Sequence, residues 1–171
     1  EDKTPKVFML TQKDYFPLHT SLAEMIYFPE KLPNSEIERN KLLEYMLHLV
    51  EELKLDDKFE SKEQTDLSFA YGIKTNETWV RVLSGGENKK VAVISALINK
   101  PAILLLDETF VGLDKGSLKD IQRVIKTYLP KALIISVDHH AKDNNYDNFY
   151  DAEINFANQK IELMQLNSDP Y

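Results

Sequence analysis

Two adjacent carboxylates, Asp107 and Glu108, follow directly after the apolar run 103–106. Such a run, bounded by polar residues and proline, predicts a short buried strand. Open α/β sheets place their ligands at the carboxyl ends of parallel strands, which is where this acid pair would lie. One carboxylate at such a place can hold Mg²⁺ through water, and the next can polarise an attacking water molecule. The pair therefore has the residue types for metal-assisted hydrolysis of a phosphate.

A second group that could take part in chemistry is the triplet Ser84, Gly85 and Gly86. It opens an apolar helical segment, and Lys100 and Pro101 end that segment. Glycines let the backbone approach a ligand closely because no Cβ stands in the way. The free N–H groups of a helix that begins here would face an anion. Ser84 can cap that helix or donate its hydroxyl to a phosphate oxygen. This turn is thus a candidate phosphate contact.

Residues 82–114 resemble the signature motif, Walker B strand and D-loop of an ABC (ATP-binding cassette) ATPase. The family's usual signature, Leu-Ser-Gly-Gly-Gln, is matched by the variant ending in Glu87. Four apolar residues followed by Asp107-Glu108 match Walker B, and 112–114 match the D-loop. A lone Ser-Gly-Gly turn would be weak evidence, since glycine pairs occur in ordinary loops. Three motifs in the family's order and spacing favour the cassette.

The resemblance implies a role for each motif residue. Asp107 would hold Mg²⁺, Glu108 would act on the attacking water, and the signature would face the γ-phosphate that a second cassette binds. Asp114 would couple the two sites. The nucleotide-facing set implied in this way is Ser84, Gly85, Gly86, Glu87 and Asp114.

Two further residues acquire roles only through the resemblance. Gln12, which follows the apolar run 7–10, corresponds to the Q-loop glutamine that contacts Mg²⁺ and the attacking water. The loop after it would face a transmembrane partner. His139 follows the apolar run 132–137 and corresponds to the switch histidine that contacts the γ-phosphate.

The elements around these motifs are predicted from spacing and caps. Residues 35–55 carry apolar side chains at helical intervals, and Ser35 with Glu38 suggests a capping box. Ser117 with Asp120 suggests another box, opening a helix to about residue 129.

Two further local predictions concern the ends of the motif region. Alternation over 152–156 and 160–164 predicts a terminal hairpin. Asn88, Lys89 and Lys90, which follow the signature, are interpreted as solvent-facing helix residues.

The predicted fold class is α/β: an incomplete P-loop NTPase core of the ABC cassette type, with a helical subdomain and a mostly parallel sheet. Residues 1–12 would hold a core strand and the start of the Q-loop. Residues 13–100 would hold the Q-loop and a helical subdomain ending in the signature helix. Residues 101–171 would form the catalytic core with Walker B, the D-loop, the switch histidine and the hairpin.

The phosphate-cradling pattern G-x-x-x-x-G-K-[ST] is not formed by any of the five glycines. The resemblance therefore covers the back portion of a cassette. We expect a fragment of an ABC membrane transporter, of export type and resembling the peroxisomal fatty-acyl transporters and their bacterial relatives. The parent would hydrolyse ATP with Mg²⁺, whereas the isolated chain would be inactive. Its sheet should keep an uncovered apolar face.

The amino-acid composition restricts the classes of binding partner that we expect. A formal net charge of −7 disfavours nonspecific nucleic-acid binding, so no nucleic acid is expected. The longest apolar run, 91–98, is far shorter than the roughly 20 residues that cross a bilayer. The expected partners are a second cassette in a head-to-tail dimer and a transmembrane domain. We expect the parent at the cytoplasmic face of a membrane and this chain to be soluble.

Two other classes share parts of the pattern. DNA-maintenance ATPases of the SMC type also use this signature, but they place a very long coiled coil where only 13–83 stands here. A non-catalytic regulatory cassette is the other alternative. The presence of Glu108 and His139 argues against degeneration of the parent.

Overall fold

The computed structural model describes residues 4–13, 21–55, 83–138, 149–157 and 160–166. In chain order the elements are β1 (Val7–Leu10), α1 (Leu22–Tyr27), α2 (Glu36–Glu52), α3 (Gly85–Asn99), β2 (Ile103–Asp107), α4 (Lys115–Tyr128), β3 (Leu133–Val137), β4 (Ala152–Ala157) and β5 (Lys160–Gln165). The chain divides into two compact units, Glu1–Val137 and Asp138–Tyr171. The predicted α/β class is confirmed.

The first unit is built on a parallel sheet whose described strands have the order β1-β2-β3. Leu10 at the end of β1 lies opposite Leu106, and Asp107 at the end of β2 lies opposite Val137. The strand that carries the acid pair is therefore flanked on both sides. Because all three strands run the same way, their carboxyl ends meet at one edge of the sheet.

Helix α3 is the centre of the core. It contacts β1, α1, α2 and α4, and Val91, Ile94 and Leu97 are completely buried. Its consecutive residues from Lys89 to Leu97 are buried, so the helix is enclosed on all sides over this stretch. It ends at Asn99, and its C-cap residue Lys100 has a left-handed φ of 46° and precedes Pro101. The residues that open this helix are thus carried on a well-enclosed element of the unit.

The two faces of the sheet differ in exposure. Leu10, Leu104 and Leu106 are buried on one face. Side chains alternate along a strand, so the intervening positions lie on the opposite face. The exposed apolar side chains of that open face are Val7, Met9, Leu133, Ile135 and Val137. They occupy the outer strands of the described sheet.

Two predicted caps differ from the structure. Ser35 precedes α2 but makes no side-chain capping bond, and the helix is instead anchored by the burial of its apolar side. Helix α4 begins earlier than predicted because Asp114, and not Ser117, is its N-cap. The Asp114 carboxylate accepts hydrogen bonds from the backbone amides of Gly116 and Ser117, each at 2.9 Å.

Polar contacts join α2 to α4 at the surface. Arg123 donates to the Glu52 carboxylate at 2.6 Å and to the Glu52 carbonyl at 3.0 Å. His48 lies with its Nε2 2.5 Å from the Tyr128 hydroxyl. Exposed pairs of this kind contribute at most about 1 kcal/mol each, so they orient the helices more than they stabilise them.

The second unit contains the predicted hairpin. Strands β4 and β5 pair antiparallel, with Ile154 opposite Leu163 and Phe156 opposite Ile161. These four side chains share one face of the ribbon and are all exposed. The observed strands each extend one residue beyond the predicted ends.

Candidate functional site

The acid pair lies where β2 leaves the sheet. Asp107 is the last residue of the strand and is half-buried. Glu108 turns into the left-handed region with a φ of 47°, and its amide donates to the Val137 carbonyl at 2.9 Å. This backbone conformation costs a non-glycine residue about 1–2 kcal/mol. Lys54 and Lys100 adopt the same conformation where helices end, whereas Glu108 adopts it directly after a strand.

Thr109, the residue after the acid pair, joins the turn to the neighbouring strand. Its side chain is buried, and its hydroxyl donates to the Leu10 carbonyl at 3.0 Å. Leu10 is the last residue of β1 and lies two positions before Gln12. The backbone that carries the acid pair is thereby tied to the backbone that leads to the glutamine.

Gln12 itself is exposed and follows β1 at the same sheet edge as the acid pair. The carbonyl of Thr11, one residue earlier, accepts a hydrogen bond from the Lys89 ammonium. The Thr11 hydroxyl donates to the Lys13 carbonyl at 2.7 Å. The residues around Gln12 are thus anchored, while its amide side chain remains accessible to a ligand.

The interpretation of Lys89 and Lys90 as solvent-facing is wrong, because both side chains are largely buried. Lys89 precedes Val93 by four residues and Leu97 by eight. That spacing places it on an enclosed face of α3. The same spacing could have identified Lys89 from the sequence, although the carbonyl that it reaches could not have been named.

The signature turn, residues 84–87, forms a complete capping box. The Ser84 amide donates to the Glu87 carboxylate at 2.7 Å, and the Glu87 amide donates to the Ser84 hydroxyl at 3.3 Å. The predicted cap at Ser84 is confirmed. Glu87, expected to face nucleotide, uses its carboxylate for this box. Ser84 is nevertheless exposed to solvent.

The two glycines of the turn differ in their surroundings. A Cβ added to Gly85 would meet no atom within 4 Å, so the space beside it is open. A Cβ on Gly86 would lie 3.5 Å from Leu113 Cδ2, in ordinary contact. The start of α3 therefore lies beside the 112–114 loop. The structure thus brings the signature turn and the 112–114 loop into contact.

Asp114, at the end of that loop, is exposed and caps α4. Hydrogen bonds from Ser117, with a further one from Gly116, hold the pKa of Asp114 below its ordinary value. The side chain is thus an anion at neutral pH and is committed to the helix terminus. Gly112 supplies the positive φ of 80° that the loop needs.

The donor set at the sheet edge fits magnesium bound together with a nucleotide. Within the described ranges no group of three His, Cys, Asp or Glu side chains could hold a metal by itself. Magnesium is usually held by one or two carboxylates together with water and substrate phosphates. Asp107 and the amide oxygen of Gln12 are oxygen ligands of that kind. His139, the predicted switch histidine, lies outside the described residues.

Residues 5–111 match the family model described as ABC transporter. The chain belongs to the ABC transporter family. The matched range includes β1, α3, β2 and both carboxylates of the acid pair.

Individual relatives agree with this assignment. An uncharacterized ABC transporter ATP-binding protein of Haemophilus influenzae is 28% identical over 141 residues, covering 81% of this chain and 20% of the relative. A putative export ATP-binding/permease protein of Rickettsia typhi is 34% identical over 100 residues, covering 58% of this chain and 16% of the relative. The chain thus spans a fifth or less of the length of these two relatives.

Solved structures show the same fold. An ATP-binding cassette solved as a dimer in a post-hydrolysis state with ADP and Pi superposes with a TM-score of 0.64 at 19% identity. The match covers 96% of this chain and 65% of that one. A bacterial Atm1-family ABC exporter with ATP bound gives 0.66 at 18% identity, covering 94% and 25%. The P-loop NTPase fold of an ABC cassette is confirmed.

No helix within the described residues has the length and apolar character needed to cross a membrane.

Proposed function

We propose that this chain is the rear part of the ATP-hydrolysing cassette of an export-type ABC membrane transporter. One observation carries the proposal. The strained Glu108 follows Asp107 at the end of β2, and its turn is hydrogen-bonded to the strand that leads to Gln12. This arrangement gathers a metal ligand, a candidate general base and an amide at one sheet edge.

Each of these side chains has a separate role in hydrolysis. Asp107 and Gln12 would hold Mg²⁺, which would neutralise phosphate charge when bound together with ATP. Glu108 orients the attacking water and takes up its proton. His139 stabilises the charge on the γ-phosphate. Phosphoryl transfer of this type depends mostly on positioning and electrostatic stabilisation, so the rigidity of the sheet edge matters as much as the residue types.

A second cassette completes the site. Ser84 and Gly86 of one cassette face the γ-phosphate held by the other, and Gly85 lets the two backbones approach. The exposure of Ser84 and the open space beside Gly85 support this role. Asp114 couples the two sites through the loop that contacts Gly86. The solved cassette described above as a dimer has the same fold.

The phosphate-cradling loop is supplied by a segment other than residues 1–171. Two observations support this inference. None of the five glycines stands in the required pattern, and the chain spans only 16% of the Rickettsia typhi relative. Because the lysine and backbone amides of that loop hold most of the triphosphate charge, the isolated chain binds Mg-ATP weakly and does not hydrolyse it.

The cassette works at the cytoplasmic face of a membrane, and the loop after Gln12 contacts a transmembrane domain. The relative named as an export ATP-binding/permease protein supports the pairing with a transport domain. The net charge of −7 supports the expectation that nucleic acid is not a partner.

Titration calorimetry of the chain with Mg-ATP tests the assignment of the missing loop. We expect no binding in the micromolar range. Micromolar affinity would contradict the proposal and place a nucleotide site within these residues.

A further inference from the structure

Lys89 occupies an unusual environment for a lysine. It lies in the second turn of α3, five residues after Ser84, with only 7% of its surface exposed. Its ammonium donates to the carbonyl of Thr11, 78 residues earlier in the chain. Burial of an ammonium is unfavourable unless hydrogen bonds compensate it. The contact therefore links the signature helix directly to the residue before Gln12.

The neighbouring carbonyl is held from a different direction. Leu10 accepts the hydroxyl of Thr109, which immediately follows the acid pair. Two consecutive carbonyls at the end of β1 are thus bound by two elements. We name this pair of contacts, Lys89 to Thr11 and Thr109 to Leu10, the carbonyl clamp.

Anchoring of α3 does not require the lysine. Val91, Val93 and Ile94 are completely buried on the same helix, and burial of each such side chain contributes about 1.5–3 kcal/mol. A methionine at position 89 would fill much of the same volume without the cost of burying a charge. The lysine adds a charged donor, and this donor reaches the Thr11 carbonyl.

We propose that Lys89 is a positioning residue that fixes Gln12 relative to the acid pair and makes this position depend on the signature helix. Its catalytic consequence rests on the proposed function. The ammonium fixes the Thr11 carbonyl relative to α3, and Thr109 fixes the preceding carbonyl relative to the acid pair. The position of Gln12 thereby depends on the position of the signature helix α3.

The clamp is tested first on the chain itself, without nucleotide. Hydrogen exchange is measured for a peptide covering residues 10–13 in Lys89→Met, Lys89→Arg and Lys90→Met. Lys90 is the matched control because it is the next residue of the same helix and is 9% exposed. Lys89→Met should speed exchange there about tenfold, as expected for easier local opening. Lys89→Arg should stay near wild type, because one guanidinium N–H suffices for a single carbonyl.

Equal exchange in Lys89→Met and Lys90→Met would overturn the clamp. Equal acceleration by Lys89→Met and Lys89→Arg would also overturn the clamp, because that result would show that a donor at position 89 does not hold the end of β1.

The positioning role is tested in the full-length protein that contains this chain. Lys89→Met should lower kcat for ATP by about ten- to a hundredfold, the usual effect of a small misplacement of a reacting group. KM for ATP should change by less than about threefold, since the phosphate loop holds the nucleotide. Lys89→Arg should recover most of kcat. Unchanged kcat in Lys89→Met, or equal losses in both variants, would overturn the role.

The two experiments separate the inferences. If the wild-type full-length protein hydrolyses no ATP, the proposed function fails. The exchange measurement still decides whether Lys89 holds the end of β1.

Discussion

The hydroxyl of Thr109 donates to the carbonyl of Leu10 at 3.0 Å across 99 residues of chain. Thr109 follows the acid pair directly, and Leu10 ends the strand that leads to Gln12. A single buried hydrogen bond therefore connects the backbones that carry two parts of the candidate site. Because the bond is enclosed, its loss should be costly for both stability and geometry.

Replacement of Thr109 tests this bond. Thr109→Val keeps the shape but leaves the buried Leu10 carbonyl without its hydroxyl donor, which should cost about 1–3 kcal/mol of unfolding free energy. Thr109→Ser is the matched control, since it keeps the hydroxyl and loses one methyl group, worth about 1 kcal/mol. Urea unfolding of both variants gives the comparison. A valine variant as stable as wild type would show that the bond contributes nothing.

Glycine substitutions at the acid pair should reveal the backbone strain. Glu108→Gly relieves a left-handed conformation that costs about 1–2 kcal/mol, which offsets the entropic penalty of glycine. Asp107→Gly has no such relief, because Asp107 is a strand residue, and it should lose about 0.5–1 kcal/mol. We expect Glu108→Gly to be the more stable variant by about 1 kcal/mol in urea unfolding. If Asp107→Gly were the more stable variant, the inference that the backbone of Glu108 is strained would be wrong.

Asp114 should give the stability a pH dependence. Its pKa is lowered in the folded chain by the hydrogen bonds from Ser117 and Gly116, so its contribution is present above the unfolded pKa of about 3.9. The contribution is lost as pH falls through the lower folded pKa. Asp114→Asn keeps a capping side chain but has no charge to lose.

The measurement is Tm against pH for wild type and Asp114→Asn between pH 7 and pH 2. The advantage of wild type over the variant should be largest near neutral pH and should shrink below about pH 4. A constant difference across the range would show that the charge of Asp114 does not stabilise the helix.

The open face of the sheet should promote association of the isolated chain. Met9 and Ile135 are each about half exposed on the outer strands, and contiguous exposed apolar surface of this kind commonly mediates contacts between proteins. We expect a sedimentation coefficient that rises with concentration. Met9→Thr combined with Ile135→Thr should weaken this rise, whereas Leu47→Thr, on an exposed part of α2, should not. A concentration-independent monomer would contradict the prediction.

The local parts of the site were readable from the sequence. Ser84 and Glu87 stand at the spacing of a capping box, and the run before Asp107 has the length and flanks of a buried strand. The structure contains both. The cap of α4 was misassigned because Asp114 and Ser117 are both good capping residues, and the choice between them depends on backbone geometry.

The contacts that join the motifs could not be predicted from the sequence. Lys89 and Thr11 are separated by 78 residues, and Thr109 and Leu10 by 99. No local pattern specifies which carbonyl a distant donor reaches, since that depends on the packing of α3 against β1. The left-handed φ of Glu108 was equally hidden, because the residue type gives no sign of it.

Hydrolysis of Mg-ATP by the full-length protein, with and without Glu108→Gln, tests the assigned chemistry most directly. Glutamine keeps the shape of glutamate but cannot take up a proton or carry the charge that orients water. The wild-type protein should hydrolyse ATP, and the variant should lose turnover while it still binds nucleotide, because Asp107 and the phosphate loop remain. Near-normal turnover in Glu108→Gln would contradict the assignment of Glu108 as the catalytic base.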